Sequence, residues 1–312
     1  MKLQRMQRRW SNFTAADVQL IADRTTVEQY TSGGFAKADF KPDYTDALAG
    51  KKLEIAFADG LHYTFDFKDA HQLFWSCDAA ATNQSEGSEA TASAASSEAA
   101  ASAASNGPTA SAAPSEAYYE ALLVPGAPHI VFVQQYVQGS VPPTAHSLVI
   151  DMETGLVTLC RATIGVPAAA REVSRTWHFG LIDGYADPEY RHAHTTELVG
   201  KAVFWTYYEK EQVRVKHIYS APLYYSYTML DPATGNCWMA SNPADYVKIT
   251  DDVFIFSFVE ERQGGTQSFF VINTKELHDV GSFFGLQPHG LECYTFGAKG
   301  EWSEPFAYDW MR

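Results

Sequence analysis

The sequence predicts an all-β protein of two tandem antiparallel β-barrels preceded by a short N-terminal helix. Three observations lead there. Aromatic residues are 14% of the chain, with 21 Gly and 14 Pro, a mixture that suits strands joined by tight turns. Short runs rich in Val, Ile, Phe and Tyr follow one another without helical spacing between them, which argues against alternating βα units and a parallel sheet. The chain also repeats itself. Leu48-Ala49-Gly50-Lys51 returns as Leu198-Val199-Gly200-Lys201, 150 residues later. His129–Val133 and Ser147–Asp151 return as Asp252–Phe256 and Phe269–Asn273, at offsets of 123 and 122.

Taken in order, residues 1–45 form a tail and a helix. The helix is expected over 11–27, where Thr14 can cap the first turn, Asp17 sits three residues on, and Val18 and Ile21 share a face beside Leu20. After Gly33-Gly34 come the strand runs Leu53–Phe57 and Leu61–Phe67, then Ile130–Val137 and Ser147–Ile150. The second series is Val203–Tyr208, Val213–Tyr219, Tyr224–Leu230, Val253–Val259 and Ser268–Ile272. Ala58-Asp59-Gly60 and Gln263-Gly264-Gly265 read as hairpin turns.

Residues 79–117 contain no aromatic residue and no Val, Ile or Leu. Such an Ala/Ser-rich segment buries too little apolar surface to offset its chain entropy, so it reads as a disordered, low-complexity insertion inside the first copy. The fall in repeat offset from 150 to 123 has the same origin. Barrels are therefore expected over 46–165 and 196–312, with 166–195 as a connector. Each copy holds enough strands to close around one small ligand.

Charge and cysteine usage narrow the function. There are 23 Lys and Arg against 37 Asp and Glu, a net charge of −14, which repels phosphate backbones and argues against a nucleic-acid partner. No run of 18 apolar residues is present, so no membrane span is expected. The basic start, Met1 to Arg9, leads into no apolar segment and does not read as an export signal. Cys77, Cys160, Cys237 and Cys293 are scattered singly, which suits reduced, buried thiols in the cytoplasm rather than zinc or a disulfide framework.

Several segments resemble the molybdenum cofactor biosynthesis protein F (MoaF) family. They are Glu197-Leu198-Val199-Gly200-Lys201, Lys216-His217-Ile218-Tyr219, Asp245–Ile249 and Phe254–Phe258. The resemblance implies a two-part protein of lipocalin-like (calycin) barrels. The family name ties it to the cofactor pathway without implying a defined reaction, and no phosphate loop or Cys cluster signals pterin chemistry here. The second copy is also similar to the phenolic acid decarboxylases, through Val199-Gly200-Lys201, Trp205-Thr206-Tyr207 and Ser257-Phe258-Val259-Glu260. That similarity implies a carboxylate clamp and a glutamate at the phenol end. Tyr207 and Glu260 match it. Trp205 stands where a second tyrosine falls, and no Arg or Lys occurs between Asp231 and Val247, so the clamp is incomplete.

Strand alternation supplies candidates independently. Val203, Trp205 and Tyr207 share one face, as do Phe254, Phe256, Phe258 and Glu260. Pointing inward, they make an aromatic cavity with a phenol and a carboxylate. Ligand contact is thus expected from Trp205, Tyr207, His217, Phe256, Phe258 and Glu260. His217 suits a donor or a base. Glu260 also precedes a Gly-Gly turn and equally fits a solvated hairpin end. In the first copy Leu53, Ile55 and Phe57 point inward, Lys52 and Glu54 outward, and Val137 stands near the place of Glu260, so that barrel reads as filled. Trp177-His178-Phe179 should pack the connector on a barrel. His192 and His194 lack a carboxylate partner, and neither metal nor cofactor is expected. The leading reading is a small apolar or aromatic ligand held in the second barrel. The alternative is an enzyme using Tyr207 and Glu260 for acid/base chemistry on such a ligand, and the sequence does not decide between them.

Overall fold

A computed structural model of the chain describes residues 21, 26–79, 114–165, 172–210, 213–230, 237–260, 265–287 and 290–304. The helix expected over 11–27 lies outside them, apart from Ile21, Thr26 and Val27. What is described is a single turn, α1 (Val27–Tyr30). It opens on a reciprocal cap: Gln29 N–H donates to Thr26 Oγ1 at 3.3 Å, and Thr26 N–H donates to Gln29 Oε1 at 3.0 Å. Most of the Ala/Ser tract, 80–113, is likewise outside.

The first barrel contains β1 (Lys52–Phe57), β2 (Leu61–Phe67), β3 (Gln72–Ala79), β4 (Ser115–Val124), β5 (Ala127–Val137), β6 (Thr144–Asp151), β7 (Leu156–Ile164) and β8 (Val173–Ile182). Each strand pairs antiparallel with the next, and β8 returns to β1 through Ile55↔Ile182 to close the ring. Two-residue β9 (Ala193–His194) follows. The second barrel contains β10 (Ala202–Tyr208), β11 (Val213–Ala221), β12 (Tyr224–Leu230), β13 (Cys237–Lys248), β14 (Val253–Glu260), β15 (Thr266–Asn273), β16 (His278–Gln287) and β17 (Gly290–Ser303). Here β10 pairs with both β11 and β17, and the β12–β13 ladder completes the ring, with β9 added along β13.

Two expected boundaries change. Ala79 and Ser115 to Ala117 are strand, so the insertion is shorter at both ends than 79–117. The connector expected over 166–195 contains β8, which belongs to the first barrel. Its alternation does not show against solvent because its outer residues are covered by the second barrel. Trp177 stacks on Phe269, and Arg175 pairs with Asp245 at 2.7 Å.

The repeated Leu-x-Gly-Lys has a structural reason. Leu48 and Leu198 are wholly buried plugs in the cores of their own barrels. Gly50 and Gly200 take left-handed φ of 74° and 87°, which favours glycine. Their N–H groups donate to equivalent carbonyls, Phe67 and Tyr219, at 2.7 and 2.8 Å.

The barrels pack wall to wall. Phe132 stacks on Phe269 with centroids 5.5 Å apart, within an apolar layer that includes Leu122, Val149, Ile255 and Val271. As a result β14 and β15 are buried along their whole length on both faces. Polar side chains in this layer are satisfied across it. Gln134 Oε1 accepts from Ser147 and Ser282, each at 2.6 Å. Glu120 accepts from Tyr44 at 2.7 Å and from the Thr295 N–H and hydroxyl at 2.8 and 2.6 Å.

Candidate functional site

Inside the second barrel the alternation places Val203, Trp205 and Tyr207 of β10, and Phe254, Phe256, Phe258 and Glu260 of β14, on the inner wall, all buried. Trp205 fits because Gly300 lies against it: a Cβ there would come within 2.8 Å of Trp205 Cζ3. Above this floor lies a cavity of about 140 Å³. Tyr207, His217, Phe258 and Glu260 line it. Trp205 and Phe256 do not: both are fully buried in the layer beneath, where Phe256 packs between Tyr225 (4.7 Å) and Phe270 (5.3 Å). Phe270, Phe283, Phe296, Tyr225 and Tyr227 complete the aromatic wall, with Thr266 and Ser268 among them.

Glu260 is buried rather than a solvated hairpin end, and Asn242 Nδ2 donates to its Oε2 at 3.1 Å. His217 meets the edges or faces of Tyr225, Phe256 and Phe270 at 5.3–5.5 Å. Burial pushes its imidazole down to about 3, so it is neutral, and its Nδ1 has no partner. Burial raises the Tyr207 and Tyr225 phenols, the latter with help from the nearby Glu260 charge. No hydrogen bond joins Tyr207 to Glu260 among the described residues. The wall can thus seat an apolar ring and offer a neutral imidazole and a carboxylate to its polar edge.

Two features of this site lie beyond the sequence reading. The first is its cover. Residues 33–41, expected as part of the tail, run across the second barrel. Asp39 N–H donates to the Tyr207 carbonyl at 2.9 Å, Tyr208 Oη donates to the Gly34 carbonyl at 2.7 Å, and His278 Nε2 donates to the Phe40 carbonyl at 2.8 Å. Phe35 caps the cavity, its ring 4.6 Å from that of Tyr207. The second feature is Asp279 on β16. It is wholly buried, no polar side chain bonds its carboxyl oxygens, and burial, offset only in part by the Ala298 N–H, holds its carboxyl well above the usual range, beside Tyr207 and Tyr219.

The first barrel is not simply filled. Leu53, Ile55 and Phe57 point inward and Val137 is buried, as expected, but Gln135 and His146 are buried inside it and Arg161 is half-buried. Elsewhere, His178 bonds Asp59 at 2.6 Å, Trp177 Nε1 donates to Asp245 at 3.2 Å, and Phe179 meets His194 edge-on. His192 bonds Thr158 at 2.9 Å, and burial lowers it to about 4. Among the described residues, no group of three His, Cys, Asp or Glu is placed to hold a metal ion. Nor is any described helix long and apolar enough to cross a membrane.

This geometry defines a tandem β-barrel protein, two closed eight-stranded barrels on one chain, the second enclosing an aromatic cavity. Its sequence matches the MoaF N-terminal domain over residues 25–166 and the MoaF C-terminal domain over residues 192–303. The chain belongs to the MoaF family. No curated protein matches it. The N-terminal match stops short of β8, and it contains the strap that covers the other barrel.

Proposed function

We propose that this protein binds a small, uncharged, single-ring or similarly compact apolar ligand in its second barrel. The observation that carries the reading is the cavity itself: about 140 Å³, walled by Phe258, Phe270 and Phe296, with His217 and Glu260 among its lining. A dry apolar cavity of roughly 150 Å³ is enough for a benzene-sized guest. Aromatic walls supply affinity by removing apolar surface from water, and a few polar groups fix orientation. His217 is suited to that role because its neutral ring carries one N–H and one lone pair. Glu260 accepts a hydroxyl or amine proton while Asn242 holds it in place. Tyr207, without a bond to Glu260, shapes the wall. Residues 33–41 cover part of the cavity through Phe35, so their motion would modulate entry. The free buried thiols of Cys77, Cys160 and Cys293 suit the reducing cytoplasm.

The test is a thermal-shift titration of the intact protein with phenol, aniline and toluene. A ligand that binds only the folded state raises stability by about 2.7 kcal/mol at a hundred times its Kd. Phe258→Trp should fill the cavity and abolish the response. Glu260→Gln should weaken phenol and aniline and leave toluene unaffected. No response to any of the three probes, or an undiminished one in Phe258→Trp, would overturn the reading.

A further inference from the structure

The inner wall of the first barrel carries a row of polar side chains at one end. Gln135, His146, Arg161 and Thr176 stand directly opposite one another on successive strands. Val157 and Leu159 place the inward face of β7, and Arg161 continues it. The row ends at solvent, since Thr176 is exposed and Arg161 half-buried. By the internal repeat and the matching ladders, Gln135, His146 and Arg161 stand where Phe258, Ser268 and Phe283 stand in the second barrel. All three of those counterparts line the cavity there.

Donors outnumber acceptors around this row. Gln135 spends its carbonyl on His146 Nδ1, at 3.2 Å, which leaves its amide Nε2 buried without a partner. The Trp75 ring meets His146 edge-on at 4.9 Å, and its indole N–H is also buried without a partner. Arg161 makes no ion pair among the described residues. Asp59, whose charge is felt by Tyr63 and Cys77 on this inner wall, is engaged by His178. A buried donor with no acceptor forfeits its hydration without return, so two of them beside an unpaired guanidinium are not a packing solution.

We infer that the first barrel holds the carboxylate of a small organic acid, received by Arg161 and by the N–H groups of Gln135 and Trp75. A carboxylate offers two oxygens and suits planar, two-pronged donors such as guanidinium. Its single charge also suits the site. Burial and the Arg161 charge push His146 down to about 3, so Arg161 is the one cation of the row, and a phosphate dianion would be left half-neutralised. The stacked rings of Tyr63 and Trp75, 6.1 Å apart and 15° from parallel, offer a flat wall for the rest of the acid. This site is independent of the second-barrel reading.

The test follows the Trp75 indole N–H resonance of the whole protein, assigned through Trp75→Phe, during titration with sodium benzoate, sodium acetate and inorganic phosphate at constant ionic strength. Benzoate should give a saturable downfield shift, acetate a weaker one, and phosphate the weakest. Arg161→Gln should lower benzoate affinity about tenfold or more, as expected on losing a charge-assisted hydrogen bond. Arg161→Lys keeps charge and bulk but loses the planar donor pair, and should show a loss as well should Arg161→Gln not fold. Absence of a saturable shift with carboxylates through the millimolar range would overturn the site. So would equal affinity in the folded Arg161 variants. Phosphate binding as tightly as benzoate would overturn the carboxylate assignment.

Discussion

Position for position, the two barrels carry different chemistry on the same ladders. Where the first has Val131, Val133 and Gln135 on β5, the second has Phe254, Phe256 and Phe258 on β14. Leu148 faces the place of Phe270, and Phe65 the place of His217. On β5, β6 and β7 branched aliphatic side chains take these places and fill the first interior against the rings of Phe57, Tyr63, Phe65, Phe67 and Tyr119. Flat rings arranged around a barrel axis meet in offset stacks and at edges, and between them lies the 140 Å³ cavity. One duplicated frame thus produces a polar niche and an apolar one from a handful of inward substitutions.

The largest expected effect separates floor from wall. Trp205→Ala removes a fully packed side chain and should cost about 3–5 kcal/mol in urea unfolding. Phe258→Ala borders space that already exists and should cost clearly less. Equal losses would mean that the second barrel packs as tightly as the first, and the contrast between them would collapse.

Next comes Asp279, whose place in the first barrel is held by apolar Val157. Its folded pKa is raised, so the folded carboxyl stays protonated where the unfolded one ionises. Above pH 4 the unfolded state gains from that ionisation, and stability falls as pH rises. Asp279→Asn should therefore raise stability at pH 7 by at least about 1 kcal/mol. The gain should vanish below pH 4, where both states of the wild type are protonated. A destabilised Asp279→Asn at neutral pH would mean that the carboxylate is ionised and paired.

On its inner wall each barrel also buries a neutral histidine, His146 in the first and His217 in the second, both lowered to about 3. A depressed histidine pKa means that the unfolded chain takes the proton first. Stability is then full above about pH 6.5 and declines as pH falls toward 3. Each group steepens that decline by up to about 1.4 kcal/mol per pH unit. His146→Leu and His217→Phe should flatten the profile by similar amounts. A change in only one barrel would show that the other imidazole is reached by water.

Much of this was legible in the sequence where one face met solvent or one core. The Leu-x-Gly-Lys turns, the inward parity of Trp205 and Tyr207, and that of Phe254 to Glu260 follow from period-two spacing. What failed has a common cause. The barrels bury each other's outer walls, so Ser257, Gln134 and Glu120 look like surface residues and are interface residues. On β8 the same burial hid the alternation. On β16 and β17, Gly281, Gly285 and Gly297 interrupt the strand-forming residues, and each lies where a Cβ would strike a neighbouring strand or the strap. With β16 unassigned, Asp279 had no face to be placed on. The strap at 33–41 carries no periodic signal, because its docking uses backbone groups and one ring.

The smallest effect is expected from making the first barrel as short as the second between corresponding strands. β3 ends at Ala79 and β4 begins at Ser115, and their ladder starts at Trp75↔Ser115, so among the described residues their pairing lies outside the chain between them. Deleting 82–112 leaves a link long enough to return from Ala79 to Ser115 at roughly 3.3–3.6 Å per residue. It removes no Val, Ile, Leu or aromatic side chain. Closing a shorter loop costs less entropy, about 0.6 kcal/mol for each halving of its length. The deletion should leave the melting temperature unchanged or slightly raised, and the response of the second barrel to phenol intact. Because Trp75 and Cys77 lie just before the excision, the benzoate-induced shift of the Trp75 indole reads the local effect. If that shift survives with the melting temperature, the tract is dispensable to both barrels. If the protein melts markedly earlier, the tract supports the first barrel in a way that its composition does not reveal, and the two barrels differ in more than what they enclose.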